Sequence, residues 1–133
     1  MGEEKMKKFN FKKIGILLAM MLVAGAALVG PASAVGIDAL GGGSFSGSVI
    51  TYYGQAGSLY DSFDRISVSA TLLNSGGGSV ANTGTYTLSN TNFVSTSSHY
   101  YYSAISGTYY TDKVYASSVG PAYSDTAYFR INT

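Results

Sequence analysis

The stretch of sequence that decides the fold reads Arg65-Ile66-Ser67-Val68-Ser69-Ala70-Thr71-Leu72. Its four apolar residues occupy every second position, and polar residues occupy the positions between them. Because side chains along a β-strand point alternately to opposite faces, this pattern predicts a strand with one buried face and one solvated face. Strands of this kind belong to antiparallel sheets, so we expect the rest of the chain to complete such sheets.

Turn-forming residues divide the rest of this region into further short strands. A glycine-rich loop follows at 74–79, and strands are predicted at 45–53, 80–88, 93–102, 108–117 and 125–131. β-Branched and aromatic residues are frequent in these segments, and none shows a sustained helical period. About six short strands separated by turns predict an all-β fold, a small antiparallel β-sandwich, with a barrel as the alternative.

The first 34 residues differ in composition from the rest. Five lysines precede an uninterrupted run of apolar residues and glycines from Ile14 to Val29, and Gly30-Pro31-Ala32-Ser33-Ala34 follows. A basic start, an apolar run and a small-x-small ending are typical of a cleavable signal peptide, here cut after Ala34. Met1 and Met6 both fit as its start. The alternative is a retained anchor, but the run is shorter than the roughly 20 residues that a spanning helix prefers.

These patterns divide the chain into three parts. Residues 1–34 are the predicted secretory leader, 35–44 a loosely attached glycine-rich spacer, and 45–133 the β-sandwich domain. The protein is therefore expected to be secreted or associated with the cell surface. Membrane contact is expected only through the leader, before cleavage.

The composition excludes some classes of protein. The chain has 133 residues, enough for one domain, and no cysteine, which excludes a disulfide-stapled mini-protein. Only 11% of its residues are charged, less than half of the roughly 25% usual in soluble domains. Beyond residue 34, five aspartates against three basic residues leave a net charge of −2. Such a domain has little electrostatic attraction for nucleic acid.

Residues for catalysis are scarce. The only histidine is His99, and no Gly-x-Ser-x-Gly motif accompanies it. Serines and aspartates are numerous enough for a Ser–His–Asp triad, but the position of His99 in a tyrosine-rich strand predicts a packed or half-exposed side chain instead. One histidine and no cysteine are too few ligands for zinc. We therefore expect no enzyme activity and no cofactor.

A single acidic cluster suggests a cation site. Asp61 and Asp64 lie three residues apart in a predicted turn, where two carboxylates and nearby carbonyl groups suit calcium. The cluster lacks the spacing of an EF-hand loop. The alternative is that both aspartates bond to the backbone of the turn, as aspartates commonly do.

Tyrosine is the most unusual feature of the composition. All 12 tyrosines lie beyond residue 34, with adjacent ones at 52–53, 100–102 and 109–110. Adjacent residues of a strand face opposite sides, so each group should expose at least one ring. Exposed tyrosines can stack on sugar rings or bind proteins at low entropic cost. The candidate binding residues are Tyr52, Tyr100, Tyr102 and Tyr109. The alternative is that they form cross-strand ladders that stabilise the sheet.

Two short runs carry a resemblance to a known group of proteins. The strand 66–72 with its glycine-rich turn, and Ser106-Gly107-Thr108-Tyr109-Tyr110, resemble the small exported domains of unknown function of Gram-positive bacteria such as Firmicutes. The second run is similar to the small-Gly-x-Tyr-Tyr opening of their penultimate strand. The resemblance spans about residues 45–131 and implies an immunoglobulin-like β-sandwich, export and no established enzyme activity. The histidine that often follows the tyrosine pair in that group is missing from residues 112–115, so its role does not transfer.

These observations together predict an exported, non-catalytic β domain that binds a protein or a glycan at or outside the cell surface. Two alternatives stay open. One is a secreted, bacteriocin-like antagonist, and the other is a structural matrix subunit that polymerises through exposed strand edges.

Overall fold

The computed structural model describes residues 36–133, which form two antiparallel sheets packed face to face. The strands are β1 (Asp38–Ser46), β2 (Val49–Gly57), β3 (Phe63–Leu73), β4 (Ser79–Asn82), β5 (Tyr86–Thr91), β6 (Phe93–Ser95), β7 (His99–Tyr101), β8 (Tyr109–Val119) and β9 (Ser124–Asn132). The predicted all-β sandwich is confirmed, with nine strands instead of about six. Within 36–133 no helix is long and apolar enough to span a membrane. The predicted leader and its cleavage point lie outside the described residues.

Each sheet is built around one long strand. In the four-stranded sheet, β2 pairs with β1 along its whole length, and β6 and β7 also pair with it. In the five-stranded sheet, β3 pairs with β8, which in turn pairs with β9, while β4 and β5 also pair with β3. The strand predicted from alternation at 65–72 is therefore the centre of the larger sheet.

The core lies between the two sheets. Alternation along β3 directs inward the four apolar residues of the predicted pattern, and all are completely or almost completely buried: Ile66, Val68, Ala70 and Leu72. Inward residues of β8 pack against them from the same sheet, and residues of β2 pack from the facing sheet. The largest aliphatic side chains of this core that are fully buried are Ile50, Ile66, Leu72, Val68 and Val114.

The prediction of a loose spacer at 35–44 is wrong for most of its length. Residues 38–46 form β1, and Ser46 pairs with Val49 to close a tight hairpin with β2. The turn contains Gly47 with a φ of +66°, a conformation that glycine adopts without strain. The prediction of a single strand at 45–53 is also wrong, because this turn divides the segment between β1 and β2.

Glycines in β1 are required by the close approach of the facing sheet. A Cβ atom at Gly41 would lie 2.5 Å from Cγ2 of Val114 and 2.8 Å from the carbonyl oxygen of Tyr53. Real Cβ atoms do not approach other atoms so closely, so only glycine fits. The three consecutive glycines therefore mark a packed strand and not a flexible linker.

Buried threonines divide two of the predicted strands. At the break between β6 and β7, Thr96 donates its N–H to the Gly54 carbonyl (2.8 Å), and its Oγ1 accepts the Gly54 N–H (3.0 Å). Between β4 and β5, Thr83 makes the same two bonds to Ala70, at 2.9 and 3.0 Å. In both places the threonine hydroxyl accepts the hydrogen bond that a backbone carbonyl accepts elsewhere in the sheet. The N–H of the neighbouring strand therefore keeps an acceptor where the paired strand ends.

Replacing Thr96 with valine tests whether its hydroxyl takes the place of a backbone carbonyl as hydrogen-bond acceptor. Thr96→Val keeps the side-chain shape but leaves the buried Gly54 N–H without its acceptor. We expect the free energy of unfolding in a urea titration to fall by about 1–3 kcal/mol, the cost of an unsatisfied buried donor. The control is Thr126→Val on the exposed face of β9, expected within about 0.5 kcal/mol of the wild type. Equal effects of the two substitutions would contradict this assignment.

Candidate functional site

Two of the predicted binding tyrosines are exposed, and so is an isoleucine three residues further along the chain. Tyr100, on β7, is 55% exposed, Tyr102 is 67% exposed, and Ile105 in the following loop is also exposed. The ring centroids of Tyr100 and Tyr102 lie 6.2 Å apart, with 31° between the ring planes. We call Tyr100, Tyr102 and Ile105 the aromatic tip.

Pairing and alternation determine the direction of these rings. Tyr101, between the two exposed rings, pairs with Ile50 of β2, and its ring lies 6.0 Å from that of Tyr110. The loop that follows is held by the chain around it. The Ala104 N–H donates to the Ser48 carbonyl (3.1 Å), and the Ile105 N–H donates to Oη of Tyr110 (3.0 Å). The aromatic tip therefore rests on an anchored loop.

The expectation that Tyr52 belongs to an exposed surface is wrong. Tyr52 is only 1% exposed and belongs to the core, with its ring 6.1 Å from that of His99. Its neighbour Tyr53 is buried as well, so this pair exposes neither ring. Burial, with a smaller contribution from the Asp112 charge, raises the pKa of Tyr52 and raises that of Tyr53 to about 12.

Tyr109 lies on the other sheet, apart from the aromatic tip. It occupies the first position of β8 and is half-buried. The guanidinium carbon of Arg130 lies 3.8 Å from its ring centroid, and its hydroxyl donates to the Ser75 carbonyl at 3.3 Å. Of the four predicted tyrosines, the structure therefore brings together only Tyr100 and Tyr102.

Sequence reasoning missed two exposed tyrosines that alternation could have revealed. Tyr115 on β8 is 48% exposed and Tyr128 on β9 is 59% exposed. Val114 and Ala116 share the inward face of β8, so the residue between them must point outward. The same reasoning applies to Tyr128, which precedes the buried Phe129.

His99 packs beside tyrosines, as predicted. Its ring lies 6.1 Å from the rings of both Tyr52 and Tyr86. Its Nδ1 lies 2.9 Å from the Ser97 carbonyl oxygen, so the hydrogen of this bond is on Nδ1.

The predicted calcium ligands do not converge with other acidic groups. Asp61 Oδ2 accepts, at 3.1 Å, the N–H of Gly36, a residue distant in sequence and not part of the turn itself. The Asp64 carboxyl lies against Gly120, where a Cβ atom would collide with it. Among the described residues, no three His, Cys, Asp or Glu side chains form a group that could hold a metal ion. A calcium site at Asp61 and Asp64 stays a prediction.

The most unusual ionisable group is one that the sequence did not single out. Asp112 points inward from β8 and is completely buried. Its Oδ2 accepts the Gly42 N–H at 2.9 Å, whereas its Oδ1 has no hydrogen-bond partner. A Cβ atom at Gly41 would lie 2.8 Å from Oδ2, so the carboxyl fits only because residue 41 is glycine. Asp112 thereby connects the two sheets.

Burial determines the protonation of this carboxyl. It raises the pKa of Asp112 to about 8, although the N–H groups of Gly42 and Tyr53 favour the charged form. Asp112 is therefore largely protonated at neutral pH. Since it has no solvent exposure, it serves the packing of the sheets and not a substrate.

Comparisons with known proteins assign no family to this chain. No family model and no curated protein matches it. Among solved structures, a β-glucuronidase of Parabacteroides merdae, determined with glycerol in its active site, is similar with a TM-score of 0.43 and 10% sequence identity. The similarity covers 72% of this chain and only 13% of the glucuronidase chain. It carries no argument about the activity of this chain.

The buried carboxyl predicts a pH-dependent stability. Because the folded-state pKa of Asp112 lies above its usual value of 3.8, its protonated form stabilises the fold at low pH. This contribution is lost as the pH rises towards about 8, with a slope approaching 1.4 kcal/mol per pH unit. Urea titrations from pH 5 to 8 should show this decline for the wild type relative to Asp112→Asn, which cannot ionise. Parallel curves for the two proteins would contradict it.

Proposed function

We propose that this chain is an exported, non-catalytic β domain that acts at or outside the cell surface by binding a protein or a glycan. The observation that carries the proposal is the aromatic tip, where Tyr100, Tyr102 and Ile105 are exposed within six residues. Large apolar side chains on a protein surface commonly occur singly, whereas clustered ones mark interaction sites.

The chemistry of the tip suits reversible binding. A tyrosine ring offers an apolar face for contact and a hydroxyl for hydrogen bonding, and ordering it costs little entropy. The loop between Tyr102 and Tyr110 is already held by backbone bonds from Ala104 and Ile105. A surface that is ordered before binding loses less freedom when its partner arrives.

The export part of the proposal is supported by the leader-like sequence at 1–34. It is tested by recovering the protein from the culture medium and determining its N-terminus by mass spectrometry. We expect the chain to begin at Val35. Recovery only inside the cell, with the leader intact, would contradict export.

The binding part is tested with a glycan array and a pull-down of cell-surface components. We expect the wild type to bind a component of one of the two sets. The double variant Tyr100→Ala/Tyr102→Ala should weaken that binding about tenfold or more, as truncation of central aromatic residues does. Leu88→Ala is the matched control, because Leu88 is equally exposed but lies on β5 of the other sheet.

Two results would contradict the proposal. One is a folded wild type that binds no component of either set. The other is equal loss of binding in the double variant and in Leu88→Ala, since the tip would then have no special role. Urea midpoints of all three proteins check that the substitutions leave the fold intact.

A further inference from the structure

The outer face of the five-stranded sheet collects the positive charge of the described residues. Arg65, Lys113 and Arg130 are the three basic residues of 36–133, and each occupies an outward position of β3, β8 or β9. The one exposed aspartate of this sheet within residues 36–133 is Asp64, beside Arg65 on β3. Asp112 and Asp125 lie at inward positions of β8 and β9, whereas Asp38 lies on the other sheet and Asp61 in a loop.

Two of these cations lie among exposed tyrosines. Lys113 pairs directly with Tyr128 across β8 and β9, and Tyr115 occupies the next outward position of β8. Arg130 occupies the next outward position of β9 beyond Tyr128 and stacks on Tyr109, 3.8 Å from its ring centroid. We call this set of residues the cationic band; its members are Tyr109, Lys113, Tyr115, Tyr128 and Arg130. Tyr109 and Tyr115 are six residues apart, so the band is about 20 Å long.

We propose that the cationic band binds an acidic polysaccharide whose sugars carry carboxylates. The inference rests on the proposed binding function and names the chemical class of the partner. The cationic band would be a second binding surface besides the aromatic tip, and it lies on the other sheet of the sandwich.

Charge and shape both favour this partner. An extended sugar chain fits a strand face on which rings and cations recur along two adjacent strands. The tyrosine rings can cover the apolar C–H faces of the sugars, while Lys113 and Arg130 can pair with carboxylates. Thr111 on β8 and Thr126 on β9 also point outward from this strand pair, and their hydroxyls can hydrogen-bond to the sugar hydroxyls.

Arg130 is already oriented for such a contact. Its Nε donates to Oδ1 of Asn132 at 3.1 Å, and its guanidinium group stacks on Tyr109. These contacts fix the plane of the guanidinium group, while its two Nη groups bond to no carboxylate within residues 36–133. A planar, fixed guanidinium binds a carboxylate through two parallel hydrogen bonds at reduced entropic cost.

The net charge of the domain makes the attraction local. With Asp112 protonated, four ionised aspartates against three basic residues leave a charge of −1 beyond residue 34, so an anionic polymer is not attracted to the domain as a whole. Within residues 36–133, only the cationic band offers positive charge together with exposed rings. The band contains no aliphatic side chain, which disfavours insertion into a lipid surface.

The test compares two forms of one polymer. Protein expressed from the full coding sequence is titrated with polygalacturonate and with the fully methyl-esterified polymer, which has the same backbone without charge. We expect the acidic form to bind at least tenfold more tightly at 0.1 M salt, and less tightly as salt rises. Polyglutamate of matched charge should bind at least tenfold more weakly than polygalacturonate, because it offers no sugar faces to the rings.

Variants assign the binding to the band. Lys113→Gln, Arg130→Gln and Tyr128→Ala should each weaken polygalacturonate binding about tenfold. Arg65→Gln is the matched control, because it removes the same charge from the same face. Arg65 is opposite Val119, six residues along β8 from Lys113 and so about 20 Å away, beyond the screening length at this salt concentration. It should change binding less than about twofold.

Several results would overturn the inference. The first is that the acidic and the methyl-esterified polymer bind equally tightly. The second is that polyglutamate binds as tightly as polygalacturonate. The third is that Arg65→Gln weakens binding as much as Arg130→Gln does. If the protein binds neutral glycans or proteins but not polygalacturonate, the inference fails and the proposed function stands. If it binds no surface component of any kind, both fail. Tyr115→Ala is a second ring variant should Tyr128→Ala prove unfolded.

Discussion

The two sheets are joined by one buried carboxyl. Asp112 on β8 accepts the N–H of Gly42 on β1, and it does so completely out of contact with water. The bond is possible because Gly41 leaves room for the carboxyl and for Val114 beside it. Asp125 adds a second link to the same strand, accepting the Ala39 N–H at 2.9 Å. These two bonds tie β1, which pairs with β2 along its whole length, to the facing sheet.

The protonation of Asp112 explains how so apolar an interior accommodates an acid. A buried carboxylate without a cation beside it is costly, and the raised pKa replaces this cost with the cost of keeping the group protonated, which grows as the pH rises towards about 8. A neutral carboxyl bonded to one backbone N–H contributes about 1 kcal/mol. With Asp112 neutral and buried, the charges that remain on the domain are few and lie nearer the surface. The basic ones collect on the outer face of the five-stranded sheet.

The parts of the fold that depend on local pattern were predictable from the sequence. The alternation at 65–72 identified β3 and its buried face, because period-two patterning needs no knowledge of the partner strand. Gly41, Gly42 and Gly43 were misread as a spacer, since only the facing Val114 and Asp112 show that side chains there would collide. The breaks at Thr83 and Thr96 were missed because they depend on hydroxyl bonds to strands distant in sequence.

The candidate sites show the same division between local and long-range information. Exposure of Tyr100 and Tyr102 follows from the strand and loop that contain them, whereas their role in binding stays a prediction. Tyr52 was wrongly placed at the surface, because burial depends on which face of β2 meets the other sheet. Lys113 and Arg130 were counted only as charges, since their common face appears only once β8 and β9 are paired.

Hydrogen exchange at the Gly42 amide is the most direct measurement of the contact on which this account depends. If Asp112 holds β1 against the facing sheet, the Gly42 amide exchanges as slowly as that of Val114 in the middle of β8, near the limit set by global unfolding. An exchange rate as fast as that of Gly107, in the exposed turn before β8, would contradict the account. In that case residues 41–43 would be the flexible spacer that their sequence suggests.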